Sequence, residues 1–218
     1  MQIAILLYDG VVALDAIGPY DVLKLVPRTD VRLVAVAPGE VETDGPLRLV
    51  APEALEAVPR PDVVVVPGGP GAPAASRDER TLEWLRRAHE HTRFTASVCW
   101  GSELLGAAGL LREVGATSHW LVRDELARHG AIPVDERVVV SGRIITSAGV
   151  SAGIDMALRL AALIAGDEVA ERIQLTLEYA PEPPSSAAGS PDTASPRLVA
   201  QLREGYARSR RRARPRRR

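Results

Sequence analysis

Residues 94–102 read Phe94-Thr95-Ala96-Ser97-Val98-Cys99-Trp100-Gly101-Ser102. A run of mostly apolar, β-favouring residues leads straight into a cysteine. Small residues stand two positions before it and two after. That is the spacing of a nucleophile elbow, a sharp strand-to-helix turn with no room for larger neighbours. A helix opening at Gly101 would aim its free N–H groups and positive dipole end at the sulfur. This predicts a lowered thiol pKa and a nucleophilic thiolate at Cys99. A lone cysteine is more often a buried structural residue, but the elbow spacing tips the reading toward a reactive centre.

Working outward, three more short apolar runs end abruptly. Residues 2–8 close at Asp9-Gly10, residues 31–37 at Pro38-Gly39, and residues 62–66 at Pro67-Gly68-Gly69. Continuous runs of this length predict strands buried on both faces. Helical periodicity covers residues 78–92, 120–129, 151–165 and 167–179, with Gly130 and Gly166 as terminators. Residues 137–140 and 143–146 flank Ser141-Gly142 and predict a hairpin. Alternating strands and helices predict an α/β fold, with a mainly parallel sheet covered on both faces. Right-handed crossovers then bring the loops after the strands to one edge.

Sites in open α/β sheets form at that carboxyl edge. Four loops converge there, bringing Asp15, the Gly68-Gly69 pair, Cys99 and the segment Ala148-Gly149-Val150-Ser151. Asp15 by itself reads equally well as a helix cap; Pro19 fits the first turn of a helix and would leave Asp15 near its start. Opposite a thiolate, its carboxyl would be raised in pKa by burial and like charge, and could share or donate a proton. Gly68 and Gly69 form either a plain turn or a nest of N–H groups for developing negative charge. His89, His91 and His129 read as solvated, while His119 precedes a helix and can line the pocket. No Cys/His cluster has metal-ligand spacing, and GGPGAP lacks the lysine of a phosphate loop.

The bulk properties narrow the class. The 218 residues are 46% hydrophobic, enough for one real core, and carry a formal net charge of −1. Eight arginines and no acids lie from Arg208 onward; removing those eight charges leaves −9 on residues 1–207. An acidic body of this kind is no nucleic-acid footprint, and only the tail could contact anionic surfaces. The opening residues lack the basic leader and cleavage site of a signal peptide. No apolar run reaches the roughly 18 residues of a membrane span. A single cysteine allows no internal disulfide, so a cytoplasmic protein is expected. Residues 1–180 are expected to form one α/β domain. A Pro/Ser/Ala-rich segment, 181–197, would pack on it, and residues 198–218 would form a short helix and a disordered arginine-rich tail.

The elbow SVCWGSELLGAAGLL, the opening DAIGPYDV, the PGGPG loop and SAGVSAGIDMAL together resemble the ThiJ/PfpI superfamily. GAIPVDERVVVSGRIITSAGVSAGID and RIQLTLEYAPEPPSSAAGSPDTASP are similar to its isonitrile hydratase branch in particular. The resemblance covers about residues 1–197. It implies a flavodoxin-like three-layer sandwich of the class I glutamine amidotransferase-like kind, and a homodimer acting on a small-molecule substrate without cofactor or metal. It places the nucleophile on Cys99, the partner carboxylate on Asp15 and the glycine pair on Gly68 and Gly69. Trp100, Gly149 and His119 would complete the substrate-binding surface. Trp100 departs from the pattern, since the hydratase branch usually has threonine there and the peptidase branch histidine. An indole offers one N–H and far more bulk. The implied reaction adds water to an isonitrile through a cysteine thioimidate, giving an N-substituted formamide. Two alternatives stay open: a glyoxalase or deglycase acting on 2-oxoaldehydes, and a non-catalytic sensor whose cysteine is reversibly oxidised.

Overall fold

A computed structural model describes residues 1–213. The strands are β1 (Gln2–Leu6), β2 (Asp30–Ala35), β3 (Gly39–Glu42), β4 (Arg48–Ala51), β5 (Glu53–Ala54), β6 (Val63–Val66), β7 (Phe94–Val98), β8 (Gly115–Ala116), β9 (Ile132–Pro133), β10 (Val138–Ser141) and β11 (Ile144–Ser147). The helices are α1 (Ala13–Leu23), α2 (Ala72–Ala75), α3 (Glu79–His91), α4 (Gly101–Ala107), α5 (Ala152–Ala165), α6 (Asp167–Thr176) and α7 (Pro196–Ala213). Two units separate, Met1–Glu178 and the segment from Tyr179 onward.

The first unit is built on a seven-stranded sheet in the order β10-β11-β7-β6-β1-β2-β5. Every pairing is parallel except β10 with β11, the expected hairpin, which turns at Gly142. The side-chain period of two divides the core in half. From β1, Ile3 and Ile5 enter one apolar cluster with Val22 and Leu23 of α1, Met156 and Leu160 of α5, and Ile173 of α6. Ala4 and Leu6 enter the other, with Leu82 and Leu85 of α3 and Leu104 and Leu105 of α4. The result is the expected flavodoxin-like three-layer sandwich. Each fully buried leucine or isoleucine contributes roughly 1.5–3 kcal/mol.

The order of strand addition reverses at β1: β2 lies on one side of it and β6 on the other. The carboxyl ends of β1 and β6 therefore flank the topological switch point, where open α/β sheets place their sites. Asp15 follows β1 and Gly68 follows β6, so the topology delivers both to that point.

Several local expectations are corrected. Helix α1 begins at Ala13, so Asp15 lies in its first turn and Pro19 falls inside the helix. Pro19 consequently offers no N–H to the Asp15 carbonyl one turn back. Residues Arg123–His129 form a 3₁₀ helix where an α-helix was expected, closed by Gly130 in the left-handed conformation. His89 is partly buried, its Nδ1 2.8 Å from Thr95 Oγ1. His129 packs its ring against Gly106 and approaches Glu103 Oε1 at 3.4 Å. Neither is the solvated surface histidine its sequence context suggested, because both sit where a helix end meets another element.

In the second unit, a 3₁₀ turn at Ser186–Ala188 interrupts the proline-rich stretch. Helix α7 runs from Pro196 to Ala213, well beyond the short segment its apolar residues predict. The expected disorder of the tail bears otherwise on residues 214–218, which lie outside the described residues. Among the described residues, no helix is long and apolar enough to cross a membrane.

Candidate active site

Cys99 follows β7 directly and sits at φ +57°, in the left-handed region. A residue with a Cβ adopts that conformation at a cost of about 1–2 kcal/mol. The strain persists because both backbone groups of Cys99 are fixed from outside the strand. Its N–H donates to the carbonyls of Ser147 and Ala148, each at 3.1 Å. Its carbonyl accepts the Ser118 hydroxyl at 2.6 Å. The turn also requires glycine at two positions. A Cβ at Gly101 would stand 1.9 Å from the Val66 carbonyl oxygen, and one at Gly68 would stand 2.3 Å from the Trp100 nitrogen.

The thiol is buried, with 4% of the Cys99 surface exposed. Backbone N–H groups of Val150 and Trp100 point at the sulfur and lower its pKa, as the elbow reading anticipated. They do not dominate. Burial, then the negative charge of Asp15, push the Cys99 thiol well above its ordinary value. The expected low-pKa thiolate is therefore corrected to a neutral thiol. Desolvation of a small anion outweighs two N–H dipoles from a short helix and a loop.

Asp15 is completely buried. Its Oδ2 accepts the Gly68 N–H at 2.9 Å, while Oδ1 has no N–H or O–H donor. Burial raises its pKa to about 7. The Gly68 amide and the Cys99 thiol oppose that rise as hydrogen-bond donors, and Asp44 adds to it through like charge. The expected elevation is present, but Cys99 acts on the carboxyl as a donor rather than as a repelling anion. The thiol thus faces the carboxylate as a donor, and a carboxyl with a pKa raised to about 7 is poised to exchange a proton near neutral pH.

Gly68 has a different task from the anion nest of the sequence reading, because its N–H is committed to Asp15. Gly69, at φ +144°, presses against the β1–α1 loop, with the Gly10 oxygen 2.3 Å from where its Cβ would be. It locks that loop to the glycine turn. Gly149 directly precedes the Val150 amide and carries the His119 ring: a Cβ there would lie 2.6 Å from an imidazole carbon. Burial lowers the His119 pKa, keeping the ring neutral, and its Nδ1 accepts the Leu121 N–H at 3.3 Å. Trp100 is partly exposed and packs against both apolar clusters.

Two residues near the centre, Tyr8 and Ser118, escaped the sequence reading. Tyr8 donates its hydroxyl to the Pro67 carbonyl at 2.7 Å. Its pKa is raised well above the ordinary value, first by burial and then by the charges of Asp15 and Cys99. Ser118 holds the Cys99 carbonyl, and the Val150 N–H faces the sulfur. The only sequence signal for Tyr8 was its place at the carboxyl end of β1. Among the described residues, no cluster of three His, Cys, Asp or Glu side chains could hold a metal.

The DJ-1/PfpI family profile matches residues 1–163. The sequence is 45% identical over 204 residues to an isonitrile hydratase of Pseudomonas putida, covering 94% of this chain and 89% of that protein. It is 30% identical over 107 residues to a glutathione-independent glyoxalase of Caenorhabditis elegans, DJR-1.2, covering 49% of this chain and 57% of the other. Among solved structures, a ThiJ/PfpI family protein from Pseudomonas syringae superposes with a TM-score of 0.92 at 38% identity, over 95% of this chain and 86% of that one. Oxidised Toxoplasma gondii DJ-1 shares the fold, with a TM-score of 0.75 at 23% identity, over 83% of this chain and 99% of that one.

Proposed function

The chain belongs to the DJ-1/PfpI family, and on that premise we propose that it hydrates an isonitrile to an N-substituted formamide, with Cys99 as nucleophile and Asp15 as proton carrier. The observation that carries the reading is the buried Cys99–Asp15 pair, a neutral thiol facing a carboxyl whose burial raises its pKa to about 7. The likeness to the Pseudomonas putida isonitrile hydratase over nearly the whole chain supports the choice of substrate.

Isonitrile hydration needs a nucleophile and a proton on the same carbon. The Cys99 thiol passes its proton to the Asp15 carboxylate as sulfur attacks the terminal carbon of R–N≡C. The N–H groups of Trp100 and Val150 stabilise the charge on sulfur during that step. Asp15 then delivers the proton to the attacked carbon, giving the thioimidate R–N=CH–S–Cys and restoring its own carboxylate. Water next adds its hydroxyl to that carbon while its proton travels through Asp15 to nitrogen. Collapse of the tetrahedral adduct forms the C=O bond and expels sulfur, which takes up the hydroxyl proton. The products are R–NH–CHO and the free thiol, so a single carboxyl serves as base and then acid in each half of the reaction.

The glyoxalase alternative draws on the half-length likeness to DJR-1.2 and on His119, whose neutral ring is a potential base. Incubation with alkyl and aryl isonitriles and with methylglyoxal, reading formamide and lactate, separates the two. Formamide without lactate is expected. Lactate alone would transfer the site to 2-oxoaldehyde chemistry, and neither product with reversible oxidation of Cys99 would favour the sensor.

A further inference from the structure

One peptide group lies between Tyr8 and Asp15. The Tyr8 hydroxyl donates to the Pro67 carbonyl at 2.7 Å, and the N–H of that same peptide unit, on Gly68, donates to Asp15 Oδ2 at 2.9 Å. Carbonyl and N–H point in opposite directions across a planar trans peptide. The two bonds therefore form a directional chain, phenol to peptide to carboxylate. A donor on the carbonyl polarises the peptide and makes its N–H a better donor.

The peptide has little freedom to respond by moving. Any Cβ on Gly68 would meet the Trp100 nitrogen at 2.3 Å, the Val98 oxygen at 2.8 Å and Asp15 Oδ2 at 2.9 Å, so the unit is clamped between the elbow and α1. Asp15 is fully buried with Oδ1 lacking an N–H or O–H donor, which leaves the Gly68 amide as its backbone anchor. We propose that Tyr8 is a positioning residue for the reaction, setting through the Pro67–Gly68 peptide how strongly the Asp15 carboxylate is held in its charged form. The proposal rests on Asp15 being the proton partner of Cys99. It goes beyond that reading by giving the pair a third member, which acts through the intervening peptide.

The titratable groups acting on Asp15 are Cys99 from the elbow and Asp44 from the β3–β4 turn. On the neighbouring helix α5, Asp155 is engaged by Arg137. Tyr8 stays protonated throughout the working range, so its contribution is that of a neutral donor. Polarisation along a hydrogen-bond chain adds on the order of 10–30% per bond. For a charge-assisted bond to a carboxylate, this corresponds to about 0.2–0.6 pH unit in the carboxyl's titration.

The test is the pH dependence of Cys99 alkylation by iodoacetamide, followed by intact mass, because the chain has one cysteine and no assumption about substrate is needed. Tyr8→Phe should move the limb near pH 7 upward. Site-specific 3-fluorotyrosine at position 8, a stronger donor that keeps the ring, should move it downward. If the phenylalanine variant does not fold, the fluorotyrosine protein alone decides. A limb unchanged in the fluorotyrosine protein, or moved the same way by both variants, would overturn the proposal. Asp15→Asn separates this from the parent reading: if it keeps the wild-type limb, Asp15 is no partner of Cys99. If it abolishes the limb while the position-8 variants leave it in place, only the role of Tyr8 fails.

Discussion

The Asp15 carboxyl and the Gly68 amide, 53 residues apart in sequence, meet at 2.9 Å where solvent has no access. Parallel pairing of β6 beside β1 brings them together, and burial at that place raises the carboxyl pKa to about 7 against the lowering pull of the Gly68 amide. Stability and activity should therefore pull in opposite directions at this residue.

For an acid whose folded pKa is raised, the unfolded chain holds fewer protons than the native one between the two values. Stability then falls as pH rises from about 4 to about 7. Asp15→Asn removes that penalty. Its thermal midpoint relative to wild type should rise between pH 5 and pH 8, by the equivalent of up to roughly 3 kcal/mol, while turnover is lost. Asp15→Glu keeps the acid but displaces it by a methylene, and should retain a titrating limb with reduced activity. A pH-independent difference between Asp15→Asn and wild type would contradict the buried, raised carboxyl.

The rate of the proposed reaction should climb with pH through about 7, because only the Asp15 carboxylate can accept the thiol proton. A free low-pKa thiolate would give a limb below pH 6 that survives in Asp15→Asn. Measurement of kcat/KM against pH for both proteins separates the two.

Backbone strain at Cys99 predicts an unusual order of stability. Cys99→Gly should be more stable than Cys99→Ala by about 1 kcal/mol, since glycine accepts φ +57° without cost. Both should be inactive. Denaturant midpoints of the two variants check this, and an alanine variant more stable than the glycine one would mean the elbow relaxes when the thiol is removed.

Ser118→Ala leaves the buried Cys99 carbonyl without its donor and should cost about 1–3 kcal/mol. Gly68→Ala should cost more, on the order of 3 kcal/mol or above, because its Cβ meets backbone that cannot yield. Gly142→Ala is the control: its Cβ would stand in open space at φ +61°, so it should lose only about 1 kcal/mol to backbone strain. If Gly68→Ala unfolds no more readily than Gly142→Ala, the close packing of elbow and glycine turn is wrong.

Features set by local sterics were legible in the sequence. The small residues around Cys99 announce the elbow because a tight turn excludes anything larger, and the apolar runs announce strands buried on both faces. Features set by non-local approach were not. Ser118 reaches Cys99 across 19 residues and Tyr8 reaches Pro67 across 59, and neither has a local pattern that names its partner. Gly68 was legible as a turn, but the direction of its N–H depends on which strand lies beside β6. The direction of the thiol's pKa shift was misread for the same reason. The helix N-terminus is visible in the sequence, whereas the burial that overrides it comes only from tertiary packing. Trp100 was identified as a departure from the family pattern, and its packing against both apolar clusters follows from its place between β7 and α4.

The central claim is that Cys99 carries the isonitrile carbon as a thioimidate whose proton comes from Asp15. Rapid acid quench during turnover of cyclohexyl isocyanide, with intact-mass and peptide analysis, tests it most directly. A transient species heavier than the chain by one isonitrile, mapped to Cys99 and absent from Cys99→Ser, is the expected result. Its decay should match formamide release. Formamide produced at the wild-type rate by Cys99→Ser, or turnover without any adduct on Cys99, would contradict the account.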